Sequence, residues 1–288
     1  MRRMLFCGLL CSSWLIQGHA DVVPRGEFPF EFREGLLWVK VQVPESGRVL
    51  NFLLDSGAEA SVVNLQTAKE LGLPLGQRAE VRGVGVSMDG FWTGTRWAKA
   101  NEVTLPNRLL ALDLGKLSRS CARRVDGLIG AGFFKDRAVQ IDFRESKVRL
   151  LASGTATAGD VVPLDARRCG IRVKASVGGK RARWFRVDTG CATPLQWVTR
   201  DVSPKDCSRK VAVGLAELGI PQTRTAVKIG AEILGDVETG LHANPIFEGE
   251  AGLVGNGLLS QFETVTIDSA RGRLVLGPQL PSAPKAAP

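Results

Sequence analysis

The chain has 288 residues, of which 44% are hydrophobic, and its formal net charge at pH 7 is +9. This length is sufficient for two modest hydrophobic cores. The 38 Lys and Arg residues are spread along the sequence without a helix-turn-helix or RNA-binding motif, so the charge does not indicate a nucleic-acid-binding protein. The best explanation for the positive charge is that the Lys and Arg side chains lie on solvent-exposed strand faces. The alternative is that they bind the protein to an anionic envelope surface.

Residues 1–20 have the pattern of a secretory signal peptide. Arg2 and Arg3 give a positive start, an apolar run follows, and small residues precede the expected cleavage after Ala20. The apolar run is shorter than the ~20 residues that a membrane-spanning helix needs, which favours a cleaved signal peptide. An uncleaved membrane anchor is the alternative. No later stretch is long and apolar enough to cross a membrane. We therefore expect an exported protein, periplasmic or secreted, without a transmembrane span.

The mature chain begins with predicted strands and one short helix. Residues 39–43 alternate apolar and polar side chains with period two, as half-buried strands do. Asn64 and Gly72 bracket a helical stretch, with Asn64 as the predicted N-cap. Two more short helices are predicted after Gly130 and Gly255. The 33 glycines separate many short apolar runs, as in β-barrels and sandwiches, so the fold class is predicted to be all-β.

One stretch of the sequence occurs twice. Residues 51–58 read Asn-Phe-Leu-Leu-Asp-Ser-Gly-Ala, and 133 positions later (188 minus 55) residues 184–191 read Trp-Phe-Arg-Val-Asp-Thr-Gly-Cys. Each copy is an apolar strand that runs into a carboxylate, a small hydroxyl residue and a glycine. A carboxylate at the end of a buried strand needs partners in order to ionise. The glycine permits a tight turn and the close approach of another segment.

The repeat extends over most of the chain. Residues 127–134 and 252–259 share a Gly-apolar-apolar-Gly pattern in the same register, and similar strands follow each of them. We interpret the sequence as a tandem duplication of a unit of roughly 120 residues. The small and polar residues 152–160 are the predicted linker between a first unit, 21–151, and a second unit, 161–277. Residues 278–288 are predicted to form a flexible tail.

Four of the six cysteines lie in the mature chain, and their spacing is not that of a zinc site. An even number of cysteines in an exported protein favours disulfide bonds. Of the three possible connectivities we favour Cys191 with Cys207 and Cys121 with Cys169. Free thiols are the alternative.

The repeated segments resemble the aspartic protease family, of the retropepsin and pepsin type. Residues 55–58 (Asp-Ser-Gly-Ala) and 188–191 (Asp-Thr-Gly-Cys) are similar to its Asp-Thr/Ser-Gly motif. Residues 128–130 and 253–255 are similar to its paired apolar-apolar-Gly element. The resemblance covers about residues 28–277. The motif and the element, each present twice in the same order, are far more specific than the tripeptide alone.

The resemblance implies two homologous six-stranded-barrel-like lobes related by pseudo-twofold symmetry, as in bilobal single-chain members of bacterial type. It places Asp55 and Asp188 side by side at the seam as the catalytic pair. Two adjacent carboxylates do not both ionise easily, so one takes a proton from water while the other donates to the scissile carbonyl. We expect an acid-leaning pH optimum, displaced towards neutral because Ala58 and Cys191 offer few hydroxyl hydrogen bonds.

The neighbours of the two carboxylates also have roles by resemblance. Ser56 and Thr189 are expected to hydrogen-bond across the seam and to lock the two loops together. Gly57 and Gly190 are expected to hold their N–H groups near the carboxylates. Both halves of the site lie in one chain, so the protein is expected to act as a monomer.

A mobile flap over the substrate is expected within residues 81–97, where Gly83 and Gly85 would supply mobility. Pepsin has a tyrosine in its flap, whereas this chain has no tyrosine. Trp92 or Trp97 is therefore the expected cover for the substrate. Packing in the core or on the surface is the alternative for either tryptophan.

The leading hypothesis is an exported aspartic endopeptidase that acts on peptide or protein substrates without a metal or another cofactor. The first alternative is a catalytically weak, protease-like peptide-binding module of the cell envelope. The second is a basic structural protein that binds the envelope. The two retained Asp residues argue against the first alternative. A catalytic thiol at Cys191 is not expected, because no sequence feature places His242, the remaining histidine of the mature chain, near it.

Overall fold

The structure is a computed structural model, and it describes residues 25–83, 86–94, 98–106, 108–152, 154–166, 170–200, 208–213 and 216–281. The predicted signal peptide, Gly85, Trp97, Cys169 and Cys207 lie outside the described residues. Within the described residues, no helix is long and apolar enough to cross a membrane.

The first unit is built mainly from short strands. They are β1 (Gly26–Pro29), β2 (Glu31–Arg33), β3 (Leu36–Val43), β4 (Arg48–Leu54), β5 (Val62–Asn64), β6 (Leu75–Gly83), β7 (Val86–Thr93), β8 (Lys99–Ala100), β9 (Val103–Thr104), β10 (Leu110–Leu112), β11 (Gly127–Ile129), β12 (Ala138–Asp142) and β13 (Lys147–Leu151). The helices are α1 (Leu65–Glu70), α2 (Gly115–Ser120) and a 3-10 helix (Ala131–Phe133).

The second unit repeats this pattern with longer strands. They are β14 (Asp160–Asp165), β15 (Arg172–Val177), β16 (Arg183–Asp188), β17 (Leu195–Val198), β18 (Ser208–Val213), β19 (Ala216–Ile229), β20 (Glu232–His242), β21 (Gly252–Gly255), β22 (Thr264–Asp268) and β23 (Arg273–Leu276). One short helix, α3 (Asn256–Leu259), follows β21.

The predicted helices are confirmed, and one helix was missed. Asn64 caps α1, since its side chain accepts a hydrogen bond from the Gln66 N–H at 3.1 Å, and Gly72 follows the helix with a positive φ of 64°. The short helices expected after Gly130 and Gly255 are the 3-10 helix and α3. Helix α2 has no side-chain N-cap, which removes the usual sequence signal for its start.

The second lobe is a closed six-stranded barrel. Its strands follow the order β15-β16-β21-β17-β20-β19, and pairing of β19 with β15 completes the ring. The first lobe places β3, β4, β11 and β5 in the positions of β15, β16, β21 and β17. The remaining two positions are each filled by two short strands in the first lobe. Strands β7 and β8 together occupy the position of the continuous β19, and β10 and β9 together occupy the position of β20. Among the described residues the first lobe is therefore a more broken version of the same barrel.

A six-stranded sheet joins the two lobes, in the order β1-β13-β12-β22-β23-β14. Each unit supplies three of these strands. The antiparallel pair β12 and β22 lies at the centre, where Gln140 faces Thr266. The strands alternate inward and outward side chains, and their inner faces continue into a core that includes fully buried phenylalanines, among them Phe133 and Phe262. Burial of each such ring contributes about 1.5–3 kcal/mol.

One expectation from the sequence needs correction. The favoured disulfides are not formed in this structure, because Cys121 and Cys191 are free, buried thiols. Cys121 packs in an apolar cluster of the first lobe, and the Cys191 thiol lies 3.2 Å from the Thr193 hydroxyl. Of the predicted tail, only residues 278–281 are described, and the Leu280 N–H donates to the Gln261 carbonyl at 2.7 Å.

Candidate active site

Two equivalent loops form the centre of the molecule. Asp55 follows the end of β4, and Asp188 is the last residue of β16. Strands β4 and β16 each lie parallel to the short strand of the apolar-apolar-Gly element, β11 and β21 respectively. The Asp55 N–H donates to the Ile129 carbonyl at 2.9 Å, so β11 fixes the direction in which the first loop leaves its strand.

Four buried hydrogen bonds lock the loops to each other across the seam. The Ser56 N–H donates to the Thr189 hydroxyl at 2.9 Å, and the Thr189 N–H donates to the Ser56 hydroxyl at 3.1 Å. Each hydroxyl then donates to a strand carbonyl of the other lobe, Ser56 to Val187 at 2.7 Å and Thr189 to Leu54 at 2.8 Å. Both hydroxyl residues are fully buried, so each of these groups depends on its partner.

Asp55 and Asp188 are hydrogen-bonded to each other through their carboxyl groups, and they are held unequally by the backbone. Oδ1 of Asp55 accepts from the N–H groups of Gly57 and Ala58, both at 3.0 Å. Oδ1 of Asp188 accepts from the Gly190 N–H at 2.9 Å. A carboxylate that accepts more N–H donors is stabilised more in its charged form. The geometry therefore favours Asp55 as the ionised member.

The titration of the pair follows from this inequality. Burial, and next the charge of Asp55, raise the pKa of Asp188 to about 8. Burial also raises the pKa of Asp55, but the N–H groups of Ala58 and Gly57 and the hydrogen bond from Asp188 act against it. Arg186 lowers the pKa of both groups. The two carboxyl groups titrate as one unit, and in the singly protonated pair the hydrogen bonding favours the proton on Asp188.

The glycines of the two loops are required by close approach. A Cβ placed on Gly57 would lie 2.6 Å from Oδ2 of Asp188, and a Cβ placed on Gly190 would lie 2.7 Å from Oδ2 of Asp55. Each carboxyl group thus rests against the backbone of the opposite loop. Any larger residue at either position would displace a carboxyl group.

The predicted flap corresponds to the hairpin of β6 and β7, in which Gly83 pairs with Val86 next to the turn. Trp92 lies near the base of this hairpin, opposite Leu110. It is partly buried, and the Arg108 guanidinium carbon is 4.2 Å from the centre of its ring. Its role in covering a substrate stays a prediction. The second unit has an equivalent hairpin, which is formed by β18 and β19.

The sequence reasoning missed two residues at the seam. Arg186 is 4% exposed and forms a bidentate ion pair with Glu250, at 2.9 Å for both bonds. Asn256 donates to the carbonyls of Gly35 and Thr189, at 2.8 and 2.6 Å, and so fastens the second loop to the first lobe. The sequence signal for Arg186 was its position as the one arginine inside the apolar strand 184–187. A charge buried there needs a partner, so it indicated an ion pair.

The structure gives Cys191 no role as a nucleophile. Burial, and next the charge of Asp188, raise the pKa of its thiol to about 12, so the thiol is neutral. His242 lies 2.6 Å from the Gln196 side-chain oxygen, and Gln196 donates to the Thr193 hydroxyl at 2.6 Å. This polar chain connects the histidine to Cys191 only through two intervening side chains. Within the described part of the chain, no group of three or more His, Cys, Asp or Glu residues is arranged to bind a metal ion.

Comparison with known proteins agrees with this geometry. Residues 39–133, which contain the first loop and the first apolar-apolar-Gly element, match a protein-family model described as "Aspartyl protease". The crystal structure of aspartic proteinase from Irpex lacteus has the same fold, with a TM-score of 0.59 and 12% sequence identity over 88% of this chain and 97% of that chain. No curated protein matches the sequence.

Proposed function

We propose that this chain, whose residues 39–133 match the aspartyl protease family model, is an aspartic-type endopeptidase that hydrolyses peptide bonds with water activated by Asp55 and Asp188. The observation that carries the proposal is the contact between the two loops, in which each carboxyl group rests on the glycine of the other lobe. A site that only held peptides would not need a shared proton at its centre. A pair that holds one proton supplies one base and one acid.

The unequal hydrogen bonding supports the following roles for the two residues. The ionised Asp55 takes a proton from a water molecule as the oxygen of that water attacks the carbonyl carbon of the substrate. The protonated Asp188 donates its proton to the carbonyl oxygen, which gives a tetrahedral diol and leaves the charge on Asp188. Collapse of the diol breaks the C–N bond, and the amine leaves with the proton that Asp55 took up. The remaining proton returns to Asp188.

The supporting residues keep this geometry between turnovers. Ser56 and Thr189 fix the distance between the loops, and the N–H groups of Gly57 and Gly190 orient the carboxyl groups before the substrate binds. Such preorganisation lowers the barrier because the groups need no rearrangement during the reaction. The hairpin of β6 and β7, with Gly83 near its tip, is the proposed cover of the cleft.

The test is cleavage of a diverse peptide mixture across pH in H₂¹⁸O, with and without pepstatin, and with product analysis by mass spectrometry. Direct attack by water predicts one ¹⁸O atom in each new carboxyl group. It also predicts cleavage at internal bonds. Peptides that bind but remain intact at every pH would replace this proposal with the peptide-binding module.

We also propose export, on the basis of residues 1–20. Expression of the full chain in a bacterial host, followed by fractionation and N-terminal sequencing, tests the proposal. A periplasmic or secreted product that begins at Asp21 supports it. A product that keeps Met1 and remains in the membrane fraction indicates an uncleaved anchor instead.

A further inference from the structure

The ion pair of Arg186 and Glu250 is buried beside the candidate active site. Arg186 lies two residues before Asp188 on β16, and Glu250 lies just before β21. The two side chains are 5% and 3% exposed. A buried pair is retained only if its hydrogen bonds are well formed, and here two charge-assisted bonds of 2.9 Å join the guanidinium and the carboxylate.

The third donor of the guanidinium reaches the other lobe. Nη1 of Arg186 donates to the carbonyl of Gly57 at 3.1 Å. The N–H of the same glycine donates to Oδ1 of Asp55. The Phe247 ring also covers the guanidinium, with its centre 3.5 Å from the guanidinium carbon. Arg186 is thus fixed from three directions and holds the backbone that orients Asp55.

We infer, on the basis of the proposed function, that Arg186 is a positioning residue for the reaction, and that Glu250 sets how much of its positive charge reaches the Asp pair. Arg186 fixes the Gly57 peptide, and through it the Asp55 carboxylate. Its charge favours the ionised member of the pair, and the carboxylate of Glu250 offsets part of that charge. Neither residue touches the reacting atoms.

Electrostatics gives the two residues opposite effects. A positive charge near a carboxyl group lowers its pKa, and Arg186 acts in this direction on both Asp55 and Asp188. Removal of the Glu250 charge therefore moves both pKa values down, and removal of both charges moves them up. Among the described residues, the charged and titratable groups that act on the carboxyl pair or contact Arg186 are Asp55, Asp188, Glu250 and the neutral thiol of Cys191. Arg172 is the neighbour of Arg186 on β15, and its charge is paired with Asp165.

The experiment compares three variants with the full-length parent. In Glu250→Gln the pH–rate profile is expected to move by about one pH unit towards lower pH. In the double variant Arg186→Met with Glu250→Gln the profile is expected to move by about one pH unit towards higher pH. Arg186→Lys keeps the charge but not the bidentate geometry, so the profile stays in place while kcat falls and KM changes little.

Arg172→Met is the matched control. Arg172 is the register partner of Arg186 on β15, but its guanidinium pairs with Asp165 at 2.5 Å instead of reaching an Asp loop. Its pH–rate profile is expected to coincide with that of the parent. Circular dichroism and thermal melting show which variants fold. If the double variant does not fold, the comparison of Arg186→Lys and Glu250→Gln with the parent provides the test.

Titration of the Asp55 and Asp188 carboxyl groups by ¹³C NMR gives a readout that does not depend on activity. Opposite displacements in Glu250→Gln and in the double variant support the inference. Folded variants whose titrations and pH–rate profiles coincide with the parent would overturn it and leave the pair a purely structural feature. A parent that titrates as expected but cleaves no peptide would overturn the proposed function alone.

Discussion

The substitution Gly57→Ala tests the contact between the two loops. The added Cβ would lie 2.6 Å from Oδ2 of Asp188 and closer still to its Cγ, whereas ordinary contacts begin near 3.4 Å. The carboxyl group must therefore move by about 1 Å, and a displacement of that size in a reacting group costs on the order of 10²-fold in rate. We expect kcat to fall by about that factor with a smaller change in KM.

Gly132→Ala is the control for this substitution. Gly132 lies in the 3-10 helix after β11, and a Cβ there would meet no atom within 4 Å. This variant is expected to match the parent in activity, and its melting temperature is expected to be equal or slightly higher. Peptide hydrolysis and thermal melting are measured on the parent and both variants. A folded Gly57→Ala protein with parental kcat would refute the close packing of the Asp188 carboxyl group against the first loop.

The remaining predictions concern the hydrogen bonds across the seam, the titration of Asp188 and the oligomeric state. Ser56→Ala and Thr189→Ala each remove buried hydrogen bonds across the seam, so chemical denaturation should show a loss of about 1–3 kcal/mol with part of the activity kept; parental stability in both would contradict the locking role. Activity should decline as pH rises through about 8, where Asp188 loses its proton. Because the folded pKa of Asp188 lies above its unfolded value, the stability from its protonated form is present at acid pH and is lost as pH rises through about 8. The melting advantage of Asp188→Asn over the parent should therefore grow from pH 4 to pH 8, and an advantage that shrinks would reverse the assignment. Sedimentation should show an active monomer, and activity that disappears on dilution together with a dimer would contradict this.

The repeated local patterns were sufficient to predict the fold class and the position of the two loops. Asn64 was predicted to cap a helix, and it caps α1. The apolar runs before Asp55 and Asp188 were predicted strands, and they form β4 and β16. These features depend on neighbouring residues, so they can be interpreted from a single sequence. The short apolar runs between glycines predicted the all-β class, and the resemblance to the aspartic protease family implied the two related lobes.

Contacts between distant residues were not predictable in the same way. Arg186 and Glu250 are 64 positions apart, and nothing in the spacing of the sequence pairs them. The pairing of the cysteines was predicted from their even number alone, although Cys121 and Cys191 each have apolar or polar neighbours that bury a free thiol. The central pairing of β12 with β22 also depends on how the two units meet, which no local pattern encodes.

Asp55 and Asp188 are proposed to act as one catalytic pair, and their Asn variants test this most directly. The measurement is peptide hydrolysis by Asp55→Asn and Asp188→Asn, with thermal melting to verify folding and with Asp136→Asn as a control. Asp136 is exposed and has a φ of 55°, a conformation that asparagine also adopts. We predict that each Asn variant at the pair folds and loses cleavage, that the double variant is little worse than either single one, and that the control cleaves like the parent. Near-parental hydrolysis by either folded variant would contradict the account.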